Sequence, residues 1–159
     1  MNNFTLNTPK YCPKNGVHHI LTIDITKKLQ ENFIKNKYDI ILFPEIIEHI
    51  HDMTTTFNNI KCLMKPNSEL IISTPNAFAL GNIFRMLFGI EKNHPEHLSY
   101  YSFLTLENLL NRFGFIVKDF YYSKSSIIDK NIFVKLVQSL LLKIFPQLNS
   151  GVILVLRIK

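Results

Sequence analysis

The chain has 159 residues, 47% of them hydrophobic and 19% charged, a length and balance that suit one globular domain and exclude a disordered chain. Its formal charge of +6 fits an anionic partner such as a nucleotide, a phosphosugar or a membrane surface. Seven of its Lys and Arg residues lie after position 117, so part of that charge is a basic tail, and no nucleic-acid partner is expected from it.

The longest apolar stretches are broken by Lys135, Lys143 and Pro146, so none is expected to span a membrane. The opening Met1-Asn-Asn-Phe-Thr-Leu lacks the basic start and apolar run of a signal peptide. Cys12 and Cys62 form no metal or redox spacing and read as free thiols, which points to the cytoplasm.

Residues 1–16 are polar, carry Pro9 and Pro13, close on Asn15-Gly16 and read as a loose arm. Residues 17–25 alternate unevenly, as a strand ending at Asp24 would, and residues 27–36 are weakly helical. Tyr38-Asp-Ile-Ile-Leu-Phe43 is a continuous apolar run before Pro44, the pattern of a parallel strand covered on both faces. Met53, Phe57, Ile60 and Met64 recur at helical spacing behind Asp52, an expected N-cap.

Lys65-Pro-Asn-Ser turns the chain into a second buried strand, residues 69–73. Residues 78–88 predict a helix ended by Gly89, and Leu106, Leu109, Leu110 and Phe113 form one helical face stopped by Gly114. A strand over 115–122, an apolar helix over 132–145 and a last strand over 151–158 complete the chain. The late helix, with Lys135 and Lys143 among leucines, can rest on a membrane, but packing against the last strands is the more ordinary reading. Strands and helices alternating at these lengths mean a single α/β domain with a mostly parallel sheet. The strands at 38–43 and 69–73 are expected to be parallel neighbours, and those at 115–122 and 151–158 an antiparallel pair.

From Tyr38 onward an ordered set of features is similar to one family. The strand runs into Glu45-Ile-Ile-Glu48-His49. A Lys65-Pro-Asn turn and a strand ending Ser73-Thr-Pro-Asn76 follow, then His94-Pro-Glu-His97, Tyr101-Ser-Phe-Leu-Thr-Leu and Arg112-Phe-Gly-Phe115. About 120 residues thus resemble the class I, Rossmann-like, S-adenosylmethionine-dependent methyltransferases that act on small molecules and saccharides.

The resemblance implies a methyltransferase sheet without its first two strands, since no Gly-x-Gly occurs anywhere and Asp24 falls where the adenine-contacting acid belongs. It implies S-adenosylmethionine as cofactor, lined by Asp24, Ile25, Phe43, Pro44 and Ile46. The missing half would then come from a second chain, or the chain is a non-catalytic remnant or half of a split enzyme acting as a binding module.

Glu45, Glu48 and His49 stand at i, i+3 and i+4, one face of a helical turn, and their donors suit a hard or borderline cation such as Mg²⁺ or Mn²⁺. The segment resembles the metal-binding triplet of ubiquinone-pathway and small-RNA 2′-O-methyltransferases. The RNA enzymes add a distant histidine, for which His97 is the match. Without a metal, His49 or His97 can serve as general base on a hydroxyl, or either can be structural.

Glu45, Asn76 and Tyr101 are candidates for contacting a small-molecule or saccharide acceptor, with Asn76 equally placed to cap the helix over 78–88. His94, beside Pro95, reads as a loop residue. The aromatics Phe78, Phe84, Phe88, Tyr100 and Tyr101 lie where the family places its substrate lid but read as core. No Ser-His-Asp set, P-loop or zinc spacing supports another enzyme class.

Overall fold

The computed structural model describes residues 23–35, 37–91, 94–123 and 132–159. Within them the chain runs α1 (Glu31–Ile34), β1 (Tyr38–Pro44), a 3₁₀ turn (Ile47–His49), α2 (Met53–Leu63) and β2 (Met64–Pro75). It continues through α3 (Leu80–Leu87), α4 (Phe103–Arg112), β3 (Phe115–Ser123), α5 (Ile132–Ile144), a turn (Pro146–Leu148) and β4 (Gly151–Ile158).

The described strands form one sheet in the order β1-β2-β4-β3. β1 and β2 are parallel, with Leu42 opposite Ile71 and Phe43 opposite Ile72. β4 is antiparallel to both neighbours, so it lies between β2 and β3. Both expected pairings are present, joined by a β2–β4 contact that local sequence does not encode. No described helix is long and apolar enough to cross a membrane.

One sheet face carries the core. Leu70, Ile72, Val152, Leu154 and Leu156 alternate inward and meet Phe57 and Ile60 of α2, Leu106 and Leu110 of α4, and Phe115. Asp52 caps α2 as expected, its carboxylate accepting from Thr55 N–H at 2.9 Å. Ser102 caps α4 through a reciprocal box in which Thr105 replaces the usual Glu or Gln. Gly114, at φ 79°, supplies the left-handed residue that ends α4 and aims β3 back along the sheet.

Several expectations are corrected. The strand expected at 17–25 lies mostly outside the described residues. Its described residues, 23–25, are not strand but lead into a turn, because the Asp24 carboxylate accepts from the N–H and hydroxyl of Thr26 and so closes a local loop. The helical stretch over 27–36 shrinks to the single turn α1. The run in β1 is covered on one face only among the described residues, since Ile40 and Leu42 are 58% and 66% exposed. Four of the five aromatics read as core, Phe78, Phe84, Phe88 and Tyr100, are exposed, and only Tyr101 is buried. Leu136, Leu140 and Ile144 of α5 are exposed too, and α5 packs chiefly on the turn Pro146–Leu148 rather than on the strands.

Glu69 ties the strands together on the solvent side, accepting from Lys118 of β3 and Arg157 of β4, both at 2.8 Å. These two cations hold its carboxyl below the ordinary glutamate value, with Lys118 the larger influence. A depressed carboxyl stabilises the fold above its unfolded-state pKa, and that contribution disappears as pH falls through the folded value. The Glu69→Gln variant should therefore lose less stability than the wild type between pH 5 and pH 3, both values taken as roughly the carboxylate window. Parallel urea midpoints across that range check it, and identical slopes would remove the ion pairs from the account.

Candidate active site

Parallel strands leave their C-terminal ends as the place where an α/β sheet presents functional groups. β1 ends at Pro44, and the next residue, Glu45, adopts φ 50°, a left-handed conformation rare for a side chain of its size. Two bonds to β2 hold it there. Glu45 N–H donates to the Ser73 carbonyl at 2.9 Å, and Ser73 Oγ donates to Glu45 Oε1 at 2.7 Å. This sharp exit turns the chain over the strand ends and starts the 3₁₀ turn that carries Glu48 and His49.

The same exit breaks the expected helical triplet. Glu45 precedes the turn rather than belonging to it, and its exposed carboxylate faces Ser73. Glu48 is 1% exposed, with Thr74 Oγ1 donating to its Oε2 at 3.0 Å. His49 is half-buried beside it.

Three contacts bring the distant loop to them. The backbone N–H groups of Leu98 and Ser99 both donate to the Glu48 carbonyl, at 2.8 and 3.2 Å, and His49 Nδ1 lies 3.0 Å from the Glu96 carbonyl. One donor atom from each of Glu48, His49 and His97 then lies within 4.8 Å of the others. The rings of His49 and His97 meet edge to face at 4.7 Å, and His97 Nδ1 is buried without a hydrogen-bond partner. A buried carboxylate facing two imidazoles, one with an unsatisfied ring nitrogen, is a donor set that could hold a divalent cation.

Asn76 and Tyr101 sit apart from this cluster. Asn76 is 1% exposed, its amide donates to the carbonyls of Gln147 and Asn149, and its Oδ1 accepts from Phe78 N–H. That uses both amide hydrogens, and the N-cap of α3 is Ala79. Tyr101 is part of the core and bridges to Asn76.

The residues expected to line a cofactor are spread along the β1 end and the turn before α1. Phe43 is buried in the core, Ile46 and Ile25 pack against it, and Pro44 is exposed. Asp24 is exposed and pairs with Lys27, its carboxyl lowered first by the Thr26 hydroxyl and then by Lys27. Asn59 of α2 anchors this turn by donating to the carbonyls of Ile25 and Lys27. Ser73 and Thr74 are site residues that the sequence reading did not single out, although their position at the end of a parallel strand was a usable signal.

A model of the methyltransferase domain matches residues 3–118. The chain belongs to the methyltransferase domain family. Its fold is shared with a small RNA methyltransferase at 16% identity, TM-score 0.54, covering 86% of this chain and 15% of that one. A SAM-dependent methyltransferase from Archaeoglobus fulgidus gives 16% identity and TM-score 0.51, with coverage of 86% and 66%. A magnesium protoporphyrin IX methyltransferase from Synechocystis with bound SAH gives 13% identity and TM-score 0.53, with coverage of 87% and 50%. The domain therefore spans from about a seventh to two thirds of the length of these structures. No curated protein matches it by sequence.

Proposed function

We propose that this domain carries the acceptor side of an S-adenosylmethionine-dependent methyltransferase and acts on a hydroxyl of a small molecule or saccharide. The observation that supports this reading most is the convergence of Glu48, His49 and His97 at the C-terminal ends of β1 and β2. Those three residues would hold a divalent cation, which when bound lowers the pKa of a coordinated hydroxyl. The acceptor oxygen forms a bond to the methyl carbon as the carbon–sulfur bond breaks, and the electron pair stays on sulfur to leave S-adenosylhomocysteine. The hydroxyl proton passes to solvent.

Phe43, Pro44, Ile46, Ile25 and Asp24 would lie along the donor. The unpartnered Nδ1 of His97 favours a second reading, in which that imidazole takes the proton without a cation.

The glycines stand at 16, 81, 89, 114 and 151, and none forms the Gly-x-Gly turn that brings backbone close to the methionine end of the donor. Among the described residues β1 pairs only with β2, and Ile40 and Leu42 stay exposed beside its free edge. The missing Gly-x-Gly turn supports a second chain that supplies the glycine-rich half. It equally supports a role for the domain as a binding module. The 159-residue chain alone should bind S-adenosylmethionine weakly or not at all by isothermal titration. Low-micromolar affinity would overturn the split reading.

A further inference from the structure

We propose that His94 is the fourth ligand of the site, in place of Glu45, and that the resulting set of one carboxylate and three imidazoles selects a borderline divalent cation over Mg²⁺. The inference rests on the reading of Glu48, His49 and His97 as cation ligands.

Two independent arrangements carry it. The first removes Glu45 from the set. Its backbone is held in the left-handed region, and its carboxylate accepts from Ser73, outside the cluster of Glu48, His49 and His97. The second brings His94 in. His94-Pro95-Glu96-His97 is a tight turn closed by His97 N–H donating to the His94 carbonyl at 3.0 Å. Proline fixes the second position of such a turn, and the first and fourth side chains then rise side by side. The His94 and His97 rings accordingly lie 5.1 Å apart at 36°, and the His94 and His49 rings 6.3 Å apart.

Those spacings suit a shared ion. Imidazole nitrogens bind a borderline cation at about 2.1 Å, which puts two ring centres on one ion roughly 4.5–5.2 Å apart for angles between square and tetrahedral. The His49–His97 and His94–His97 separations, 4.7 and 5.1 Å, already fall there. The His49–His94 separation of 6.3 Å needs closure of about 1 Å, and the exposed His94 can supply it.

The turn also sets its neighbours. The Glu96 carbonyl faces His49 Nδ1 at 3.0 Å, the kind of outer contact that fixes a tautomer and leaves Nε2 as the ligand atom. His94 Nδ1 is held only by a long 3.4 Å contact from Glu96 N–H, which it would give up on binding. Three imidazoles and a carboxylate suit Mn²⁺, Fe²⁺, Co²⁺ or Zn²⁺, whereas Mg²⁺ prefers oxygen donors alone.

Titration of the full chain with Mn²⁺ and with Mg²⁺ tests this, alongside electron spin-echo detection of nitrogens coupled to bound Mn²⁺. Mn²⁺ should bind at least about tenfold tighter than Mg²⁺ and couple to three imidazoles. His94→Ala should weaken Mn²⁺ by about tenfold or more and reduce the count to two imidazoles, whereas Glu45→Gln should change affinity by less than about twofold. His94 is exposed, so its variant should keep the wild-type unfolding midpoint, and His94→Asn gives a second polar replacement without the imidazole. If His97→Ala abolishes binding while the His94 variants bind like wild type, the fourth ligand is not His94 and this inference alone fails. Equal affinity for Mg²⁺ also overturns it. If the wild type binds neither ion, the cation reading falls and takes the inference with it.

Discussion

Replacing Phe57 with alanine should destabilise the domain by about 3–5 kcal/mol, enough to leave much of the chain unfolded at room temperature. Phe57 is fully buried on α2 and meets the rings of Phe113 at 4.9 Å and Phe115 at 5.6 Å. It thus joins the crossover helix between β1 and β2 to the end of α4 and the start of β3. Truncation removes one of the three phenylalanine rings at that junction and leaves a cavity that the surrounding elements must collapse to fill. Phe84 provides the contrast. It is 56% exposed on α3, and its alanine variant should stay within about 0.5 kcal/mol of wild type. Urea unfolding of both variants checks the pair, and a small loss at Phe57 would mean that the core face is misidentified.

The contrast between two phenylalanines also shows which parts of the structure were legible in the sequence. Met53, Phe57 and Ile60 at helical spacing behind Asp52 marked α2, and its cap is where the pattern put it, but Met64, read as part of the same face, opens β2 instead. The parallel pairing of β1 with β2 followed from the apolar runs on either side of that helix. Apolar composition alone, however, does not say what covers a residue. The run in β1 implied two buried faces, and the lid aromatics implied core, yet Leu42 and Phe88 stand 66% and 74% exposed. Burial depends on which elements are present to pack, and that information is not local. The same holds for α5, whose leucines promised packing on the last strands.

The site divides along the same line. Glu48 and His49 were visible as neighbours in a turn, but the triplet assumed a helix that begins at Glu45. The positive φ of Glu45 depends on bonds to Ser73, 28 residues away, and no periodicity reports it. His97 was found through family resemblance rather than spacing. What seats it is a pair of backbone bonds to the Glu48 carbonyl, which any residues but proline at 98 and 99 could make. His94 read as a loop residue and is one, at the exposed start of the turn that brings its ring beside His97.

Glu48→Gln should remove divalent-cation binding while leaving the domain folded. Glu48 is 1% exposed and is the only charged side chain among the buried residues described. Glutamine keeps its shape and can still accept from Thr74 Oγ1, which now donates at 3.0 Å. The substitution therefore removes the negative charge without opening a cavity, and a neutral amide is a poor partner for a cation already facing two neutral imidazoles. A ligand bound to the folded state at 100 times its Kd raises stability by about 2.7 kcal/mol. Saturating Mn²⁺ should thus raise the urea midpoint of the wild type, with EDTA reversing the gain, and should leave the Glu48→Gln midpoint unmoved. Thr74→Val separates the structural contribution, because it leaves the carboxylate in place but without its hydroxyl donor. That variant should lose about 1–3 kcal/mol in EDTA and recover part of the loss when Mn²⁺ is added. If Glu48→Gln gains as much stability from Mn²⁺ as the wild type, Glu48 is not a ligand, and its burial serves only to hold the 3₁₀ turn against the end of β2.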